Sequence, residues 1–281
     1  MKTANAIEVR GLNLAYGTAS VLRDVNLTIP RGAVVGLVGH NGAGKTSLIH
    51  CLLGAIVAQE GSVEVLGENP MGFSDPVRAQ IGYVSQTPEL LEWMKAKQYL
   101  DYISAFYAEW NAGRVNELMA KWGMDPKQKI SDMSLGQKQK VALLQAIGNS
   151  PTLLVLDEPV ASLDPIMRRD FMRSLFDDGA ERTIIVSSHL LSDLERIITH
   201  LILVKDGKIL VSEEWDLAVE NLQKVRLPQP LEPQAGLISQ HSQNGQVTAV
   251  VDVRSFDPRA LPPSATLTTM NLDEIFVEVM S

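Results

Sequence analysis

Gly39-His40-Asn41-Gly42-Ala43-Gly44-Lys45-Thr46 follows directly on the apolar run Ala33 to Val38 and satisfies the pattern GxxxxGK[ST]. A strand feeding a glycine-rich turn that opens a helix predicts a bound triphosphate. The glycines let the backbone curl until successive N–H groups point inward, and the helix beginning near Lys45 sets its positive dipole end behind the phosphates. Lys45 is placed for the β- and γ-phosphates and Thr46 for a hydroxyl contact to Mg²⁺. With the following Ser47, the residues Gly39, His40, Asn41, Gly42, Ala43, Gly44, Lys45 and Thr46 form the candidate nucleotide-binding stretch.

Working outward, Ile7 to Leu14 and Val21 to Ile29 read as two antiparallel strands, set off from the buried strand at Ala33 to Val38 by the breaker Pro30-Arg31-Gly32. A helix runs from Thr46 to about Leu53, and short strands follow at Ser62 to Leu66 and Ile81 to Ser85. From Pro88 to Gly123 the period becomes helical (Leu100, Ile103, Phe106, Tyr107, Trp110), and the segment concentrates Trp93, Tyr99, Tyr102, Phe106, Tyr107, Trp110 and Trp122. This predicts a compact helical insert. Its rings are expected chiefly to fill the insert's own core, with some free to anchor a partner.

Thr152 to Leu156 is a nearly pure apolar run ending at Asp157, and Thr183 to Val186 is another, with a helical pattern from Pro165 to about Phe176 between them. This is the grammar of parallel strands joined by a crossover helix. Asp206-Gly207 between Leu201–Val204 and Lys208–Val211 predicts a hairpin. From Gln223 the chain is rich in Pro, Gln and Ser, with a turn at Asn244-Gly245 and a closing apolar run, Leu272 to Met280. A small β-rich appendage is expected there.

Asp157 and Glu158 leave the carboxyl end of an apolar strand, the edge at which open α/β sheets bind ligands, and Pro159 stops the strand. An Asp in that place can hold Mg²⁺ through its water shell, and the adjacent Glu can orient or deprotonate an attacking water. Met133-Ser134-Leu135-Gly136-Gln137 heads the helical run Val141 to Ile147. Ser134 with Gln137 makes a capping box, and a helix start with a hydroxyl and a close-approach glycine is also a second anion site.

Taken in order, these motifs resemble the nucleotide-binding subunit of an ATP-binding-cassette (ABC) transporter over roughly residues 5 to 220. Val84-Ser85-Gln86 is similar to the family's glutamine loop, Ser134-Leu135-Gly136-Gln137 to its signature, and Leu156-Asp157-Glu158-Pro159 to its second Walker motif. Ser162-Leu163-Asp164 is similar to the loop between subunits, Ser188-His189 to the switch histidine, and Tyr16 to the aromatic that stacks on adenine.

The resemblance implies an α/β P-loop NTPase core, a mixed sheet with an antiparallel β subdomain, spanning residues 1–222. It carries a helical subdomain inserted at about 88–150, and a small β-rich C-terminal domain follows at 223–281. It further implies a dimer, a homodimer by the intact acid, glutamine and histidine positions, in which two ATP lie between phosphate loop and opposing signature. Ser134, Gly136 and Gln137 would then meet nucleotide held by the other chain, with Asp164 at the same interface. Glu158 would polarise water, His189 would contact the γ-phosphate, and Gln86, with Thr46 and Asp157, would serve Mg²⁺ and link it to the transport machinery. Met133 and Leu135 stand where the family's usual signature has Leu and Gly, and the Leu135 side chain bears on closure.

Bulk properties bound the rest. Apolar residues make up 45% of the 281, ample for a buried core, and the single Cys51 reads as a small buried hydrophobe rather than a disulfide partner. A formal net charge of −8 argues against general attraction to nucleic acid, which is not expected as a partner. Met1 to Gly11 lacks the apolar stretch of a signal peptide, and the longest candidate membrane stretch, Thr46 to Gln59, contains His50 and falls short of the about 20 apolar residues needed.

A cassette without membrane spans requires a separate transmembrane permease, so the expected location is cytoplasmic, peripheral on the inner face of the cell membrane. Trp93 to Trp110 and Asn271-Leu272-Asp273-Glu274-Ile275-Phe276 look most like exporters of antibiotics, peptides or lipids. An importer ATPase is the alternative, since those also carry β-rich tails. A soluble cassette acting on ribosomes or DNA is a further one, though such relatives carry two cassettes or a long coiled arm, for which Gln86 to Ser134 leaves no room.

Overall fold

The computed structural model describes residues 4–159, 182–188, 195–243, 245–263 and 265–280. The amino-terminal part opens on a long antiparallel pair, β1 (Asn5–Tyr16) and β2 (Ala19–Pro30), with β4 (Glu60–Val65) on the other side of β1 in the order β2-β1-β4. Alternation explains the pairing. Ile7, Val9, Leu12 and Leu14 of β1 face inward together with Leu22, Val25, Leu27 and Ile29 of β2, and the intervening polar residues face out.

β3 (Val34–Val38), β5 (Ile81–Val84), β6 (Leu153–Asp157), β7 (Thr183–Ser187), β8 (His200–Lys205) and β9 (Lys208–Glu214) form the central sheet, in the order β5-β6-β7-β3-β8-β9. Its first five strands are parallel and β9 is an antiparallel edge. Every residue of β3, β6 and β7 is buried, as expected of unbroken apolar strands covered on both faces. The Asp206-Gly207 turn closes the β8–β9 hairpin with both residues at positive φ. Register places Ser187 of β7 opposite Asp157 on one side and Leu37 on the other, so the carboxyl ends of β3, β7 and β6 come out level.

Helix α1 (Lys45–Leu52) follows β3 and α2 (Asp75–Arg78) precedes β5. The expected helical insert is α3 (Ala96–Ser104), α4 (Ala112–Lys121) and α5 (Leu135–Ile147), closed around Leu100, Leu118, Ile130 and Leu143. Asn111 caps α4, its Oδ1 accepting from the Arg114 N–H at 2.9 Å. The aromatic residues divide. Tyr99 is buried, whereas Trp93 (65%) and Phe106 (69%) are largely exposed, and Tyr102 and Phe106 form an edge-to-face pair on the surface.

After α6 (Trp215–Asn221) the chain enters β10 (Leu222–Leu227), β11 (Leu237–Gln243), β12 (Gln246–Asp252) and β13 (Leu267–Thr269), an antiparallel sheet in the order β11-β12-β10-β13. The closing apolar run is a helix, α7 (Leu272–Met280), started by a reciprocal cap: Asn271 Oδ1 accepts from the Glu274 N–H at 2.8 Å while Glu274 accepts from the Asn271 N–H. Leu272, Ile275 and Val279 join the apolar cluster that contains Leu201, Leu203 and Trp215, and Lys205 Nζ donates to the Val279 carbonyl at 2.9 Å. Val225, Leu227, Val247 and Ala249 form a small cluster of their own on the other face of the tail sheet. Cys51 is buried in α1, and burial pushes its thiol pKa up.

Candidate nucleotide-binding site

The phosphate loop is held in shape before any ligand arrives. Gly42 (φ 81°) and Gly44 (φ 109°) occupy backbone conformations that side-chain-bearing residues rarely adopt. Gly39 is needed for space: a Cβ there would lie 2.4 Å from the Val204 carbonyl oxygen. The β8–β9 turn props the loop, with the Gly207 N–H donating to Ala43 O at 3.1 Å. His40 Nδ1 lies 2.8 Å from the Asn41 carbonyl and its Nε2 lies 3.8 Å from Asp206.

No side chain caps α1 and its first turn carries no acid, so its positive end stays open to an anion. Lys45 is 93% buried, and its ammonium donates to the carbonyls of Gly39 (2.7 Å) and His40 (3.2 Å). Burial lowers its pKa, opposed by the charges of Glu158 and then Asp157. A buried cation hydrogen-bonded to neutral carbonyls, beside a helix start with no side-chain cap among the described residues, fits a polyphosphate.

Asp157 ends β6 and is 1% exposed. One carboxylate oxygen accepts from Thr46 Oγ1 at 2.9 Å and the other from Ser187 Oγ. The Ser187 hydroxyl in turn accepts from the Glu158 N–H at 2.9 Å, and that N–H also reaches the Ser187 carbonyl at 3.2 Å. Glu158 is held at φ 49°, a left-handed conformation for a non-glycine residue, which turns its side chain out of the strand line. Tyr83 stands near: burial first, and then the Asp157 charge, push its hydroxyl pKa to about 12.

These residues share one cavity of about 480 Å³, lined by Val21, Asn41, Gly42, Gly44, Lys45, Thr46, Ser47, Gln86, Asp157 and Glu158. Tyr16 is half exposed at the end of β1 and pairs with Ala19, two residues before Val21. Ser134, Gly136 and Gln137 do not reach the cavity. Ser134 caps α5, accepting from the Gln137 N–H at 3.3 Å while Gln137 Oε1 accepts from the Ser134 N–H at 2.8 Å; both Ser134 and Leu135 are exposed. Asp164 and His189, with Ser162 and Leu163, lie outside the described residues, as does the helical pattern from Pro165 to Phe176. Sequence reading did not single out Ser187 or Val21. For Ser187 the signal lay in the parallel register of two apolar strands, each ending in polar residues.

The sheet, the inserted helices and this cavity define a P-loop nucleotide-binding cassette. Residues 22–161 match the ABC transporter family. The chain is 30% identical over 214 residues to the bacitracin transport ATP-binding protein of Bacillus licheniformis, covering 75% of this chain and 70% of that one. It is 31% identical over 224 residues to a lantibiotic transport ATP-binding protein of Streptococcus pyogenes, covering 78% and 95%. A solved ATP-binding subunit of an ABC transporter superposes with a TM-score of 0.69 at 25% identity, covering 76% of this chain and 92% of that one. A dimeric cassette in a post-hydrolysis state with ADP and Pi shares the fold at 0.66 and 22%, covering 74% and 98%. The chain belongs to the ABC transporter family, as its ATP-binding, ATP-hydrolysing subunit. Among the described residues, no helix is long and apolar enough to cross a membrane.

Proposed function

We propose that two copies of this chain close on two ATP molecules and that hydrolysis drives export through a separate permease. The carrying observation is the separation of the capped α5 terminus from the cavity. Ser134, Gly136 and Gln137 form a ready anion site on the surface, away from the cavity of the same chain, whose described lining includes Lys45, Thr46, Asp157 and Glu158. A second copy, turned so that its Ser134 and Gly136 face this cavity, brings that anion site to the phosphates. The dimeric form of one solved relative supports this arrangement.

Within each site Lys45 and the uncapped start of α1 hold the phosphates, with Tyr16 against the base and Asn41 and Ser47 on the cavity wall. Thr46 and Asp157, with Gln86 beside them, would hold Mg²⁺, which supplies charge neutralisation on the transferring phosphoryl group. Glu158, braced through its backbone by Ser187, accepts the proton of the attacking water. His189 and Asp164 are assigned their places at the γ-phosphate and at the subunit interface by family resemblance.

Tyr102 and Phe106 form an exposed aromatic pair on the helical subdomain, where Trp93 is exposed as well, and such rings are suited to anchoring a cytoplasmic segment of the permease. Such docking sets the protein on the inner face of the membrane. The relatives named for bacitracin and lantibiotic transport support an antibiotic or peptide as cargo.

The test is size-exclusion chromatography of Glu158→Gln, whose slowed turnover traps the ATP state. Elution as a dimer with ATP and as a monomer without it is expected; a monomer under saturating ATP overturns the closed-pair reading. Recovery of a polytopic membrane protein in near-equal amount with the tagged chain from solubilised membranes tests the permease in the same way.

A further inference from the structure

Gln139 is 1% exposed in the second turn of α5. Its amide nitrogen faces two consecutive backbone carbonyls, Gln86 O at 3.3 Å and Ser85 O at 3.4 Å, so one donor straddles the loop that follows β5. That loop carries Gln86 into the cavity beside Lys45, Thr46, Asp157 and Glu158. A second tie, Ser85 Oγ to Thr87 O at 2.8 Å, lies within the loop itself. At the head of the same helix stands the Ser134 and Gln137 cap. Gln139 therefore joins the backbone beneath one candidate nucleotide residue to the helix that presents the other anion site.

The remaining atom of the side chain points to more than packing. Gln139 Oε1 is buried and, among the described residues, accepts no hydrogen bond. Val141, Leu143 and Leu144 of the same helix are also fully buried, and a methionine or leucine at 139 would be buried at less desolvation cost. A buried amide used on one side only is expected where position matters more than stability.

We propose that Gln139 is a positioning residue for hydrolysis: it fixes the Ser85–Gln86 backbone against α5, so that Gln86 stands correctly in the cavity and movement of either element is passed to the other. This rests on the reading of Gln86 as a nucleotide-site residue. The unused Oε1 is the acceptor available to a loop N–H when the loop shifts.

The test uses the full chain with Gln139→Met, which keeps volume and removes the donor, Gln139→Glu, which sets an acceptor against the two carbonyls, Gln86→Ala, and Gln86→Ala combined with Gln139→Met. In nucleotide-free protein, amide exchange over residues 85–87 is expected to quicken by about fivefold or more in both Gln139 variants, with the interior of α5 unchanged. Turnover is expected to fall about tenfold with KM for ATP within about twofold, and the double variant to be no slower than Gln86→Ala alone. Unchanged exchange over 85–87, or losses that multiply in the double variant, would overturn the proposal. If Gln86→Ala leaves turnover intact, the reading of Gln86 fails and Gln139 loses its catalytic consequence, while the exchange measurement still reports whether it holds the loop.

Discussion

Ser187→Ala removes one hydroxyl that serves two buried groups. Ser187 Oγ donates to Asp157, 1% exposed, and accepts from the Glu158 N–H at 2.9 Å. A hydrogen bond to a charged group contributes about 1.5–3 kcal/mol, and Asp157 cannot recover it from water at that depth. The Glu158 N–H retains the Ser187 carbonyl at 3.2 Å, so its loss adds little. A destabilisation of about 2–3 kcal/mol follows, which lowers Tm by roughly 4–12 °C at about 2–4 °C per kcal/mol for a chain of this size.

Catalysis should suffer separately. With one carboxylate oxygen released and the Glu158 N–H shifted to the longer Ser187 carbonyl bond, we expect turnover to fall about tenfold, equivalent to about 1.4 kcal/mol. ATP affinity measured without divalent cation should stay within about twofold, since Lys45 and its two carbonyl partners are untouched. Differential scanning fluorimetry, phosphate release and titration calorimetry in chelator read the three quantities. A variant that melts within a degree of the parent and keeps its turnover would refute the assignment of Ser187 as the brace of both acids.

Glu158→Gln should bind ATP normally and hydrolyse it about 10²- to 10⁴-fold more slowly, the range for loss of a general base; undiminished phosphate release would remove Glu158 from that role. Lys45→Met should abolish tight ATP binding by calorimetry. It should also flatten part of the pH dependence of stability: the folded pKa of Lys45 lies below the ordinary 10.5, so the unfolded chain binds that proton more tightly and stability rises with pH through the window between the lowered value and 10.5. Chemical denaturation of parent and variant across that window compares the slopes, and equal slopes would exclude Lys45 as the source. Gly44→Ala places a Cβ 2.9 Å from Leu22 Cδ2 and 3.0 Å from Val21 O at φ 109°, a strain of about 1–3 kcal/mol, and should weaken ATP at least tenfold. Gly42→Ala, with φ 81° but nothing within 4 Å, should weaken it less; the reverse order in calorimetry would show that space is not what Gly44 provides.

What the sequence made legible was local. The phosphate loop is turn chemistry between an apolar strand and a helix, the β8–β9 hairpin follows from Asp206-Gly207, and Asp157-Glu158 stand at the end of an apolar run, so each could be read from a few neighbours. Ser187 and Gln139 were not legible because their meaning is tertiary. Ser187 matters through its register opposite Asp157, and Gln139 through carbonyls brought to it from β5. The division of the aromatic insert also had no sequence signal: Tyr99 and Tyr102 lie three apart on α3, yet one is buried and the other exposed, decided by where α5 packs. The helix at the C-terminus did have one, the Asn271 to Glu274 cap, hidden by the β-rich composition of the preceding segment.

Electrostatics bears on why the proposed site needs two chains. In the described cavity one cation, Lys45, faces two carboxylates, Asp157 and Glu158, so the pocket carries excess negative charge before a triphosphate adds more. Binding then depends on groups that counter charge without bringing their own acids: the uncapped start of α1, a divalent ion at Thr46 and Asp157, and a further helix terminus from the second copy. The Ser134 cap is such a terminus, exposed and without an acid in its first turn. On this reading the bound triphosphate is the anion that draws the α5 terminus of the second copy into place and makes closure of the pair favourable. Once hydrolysis divides the triphosphate's charge and phosphate leaves, that attraction weakens, which ties the opening stroke to the chemical step.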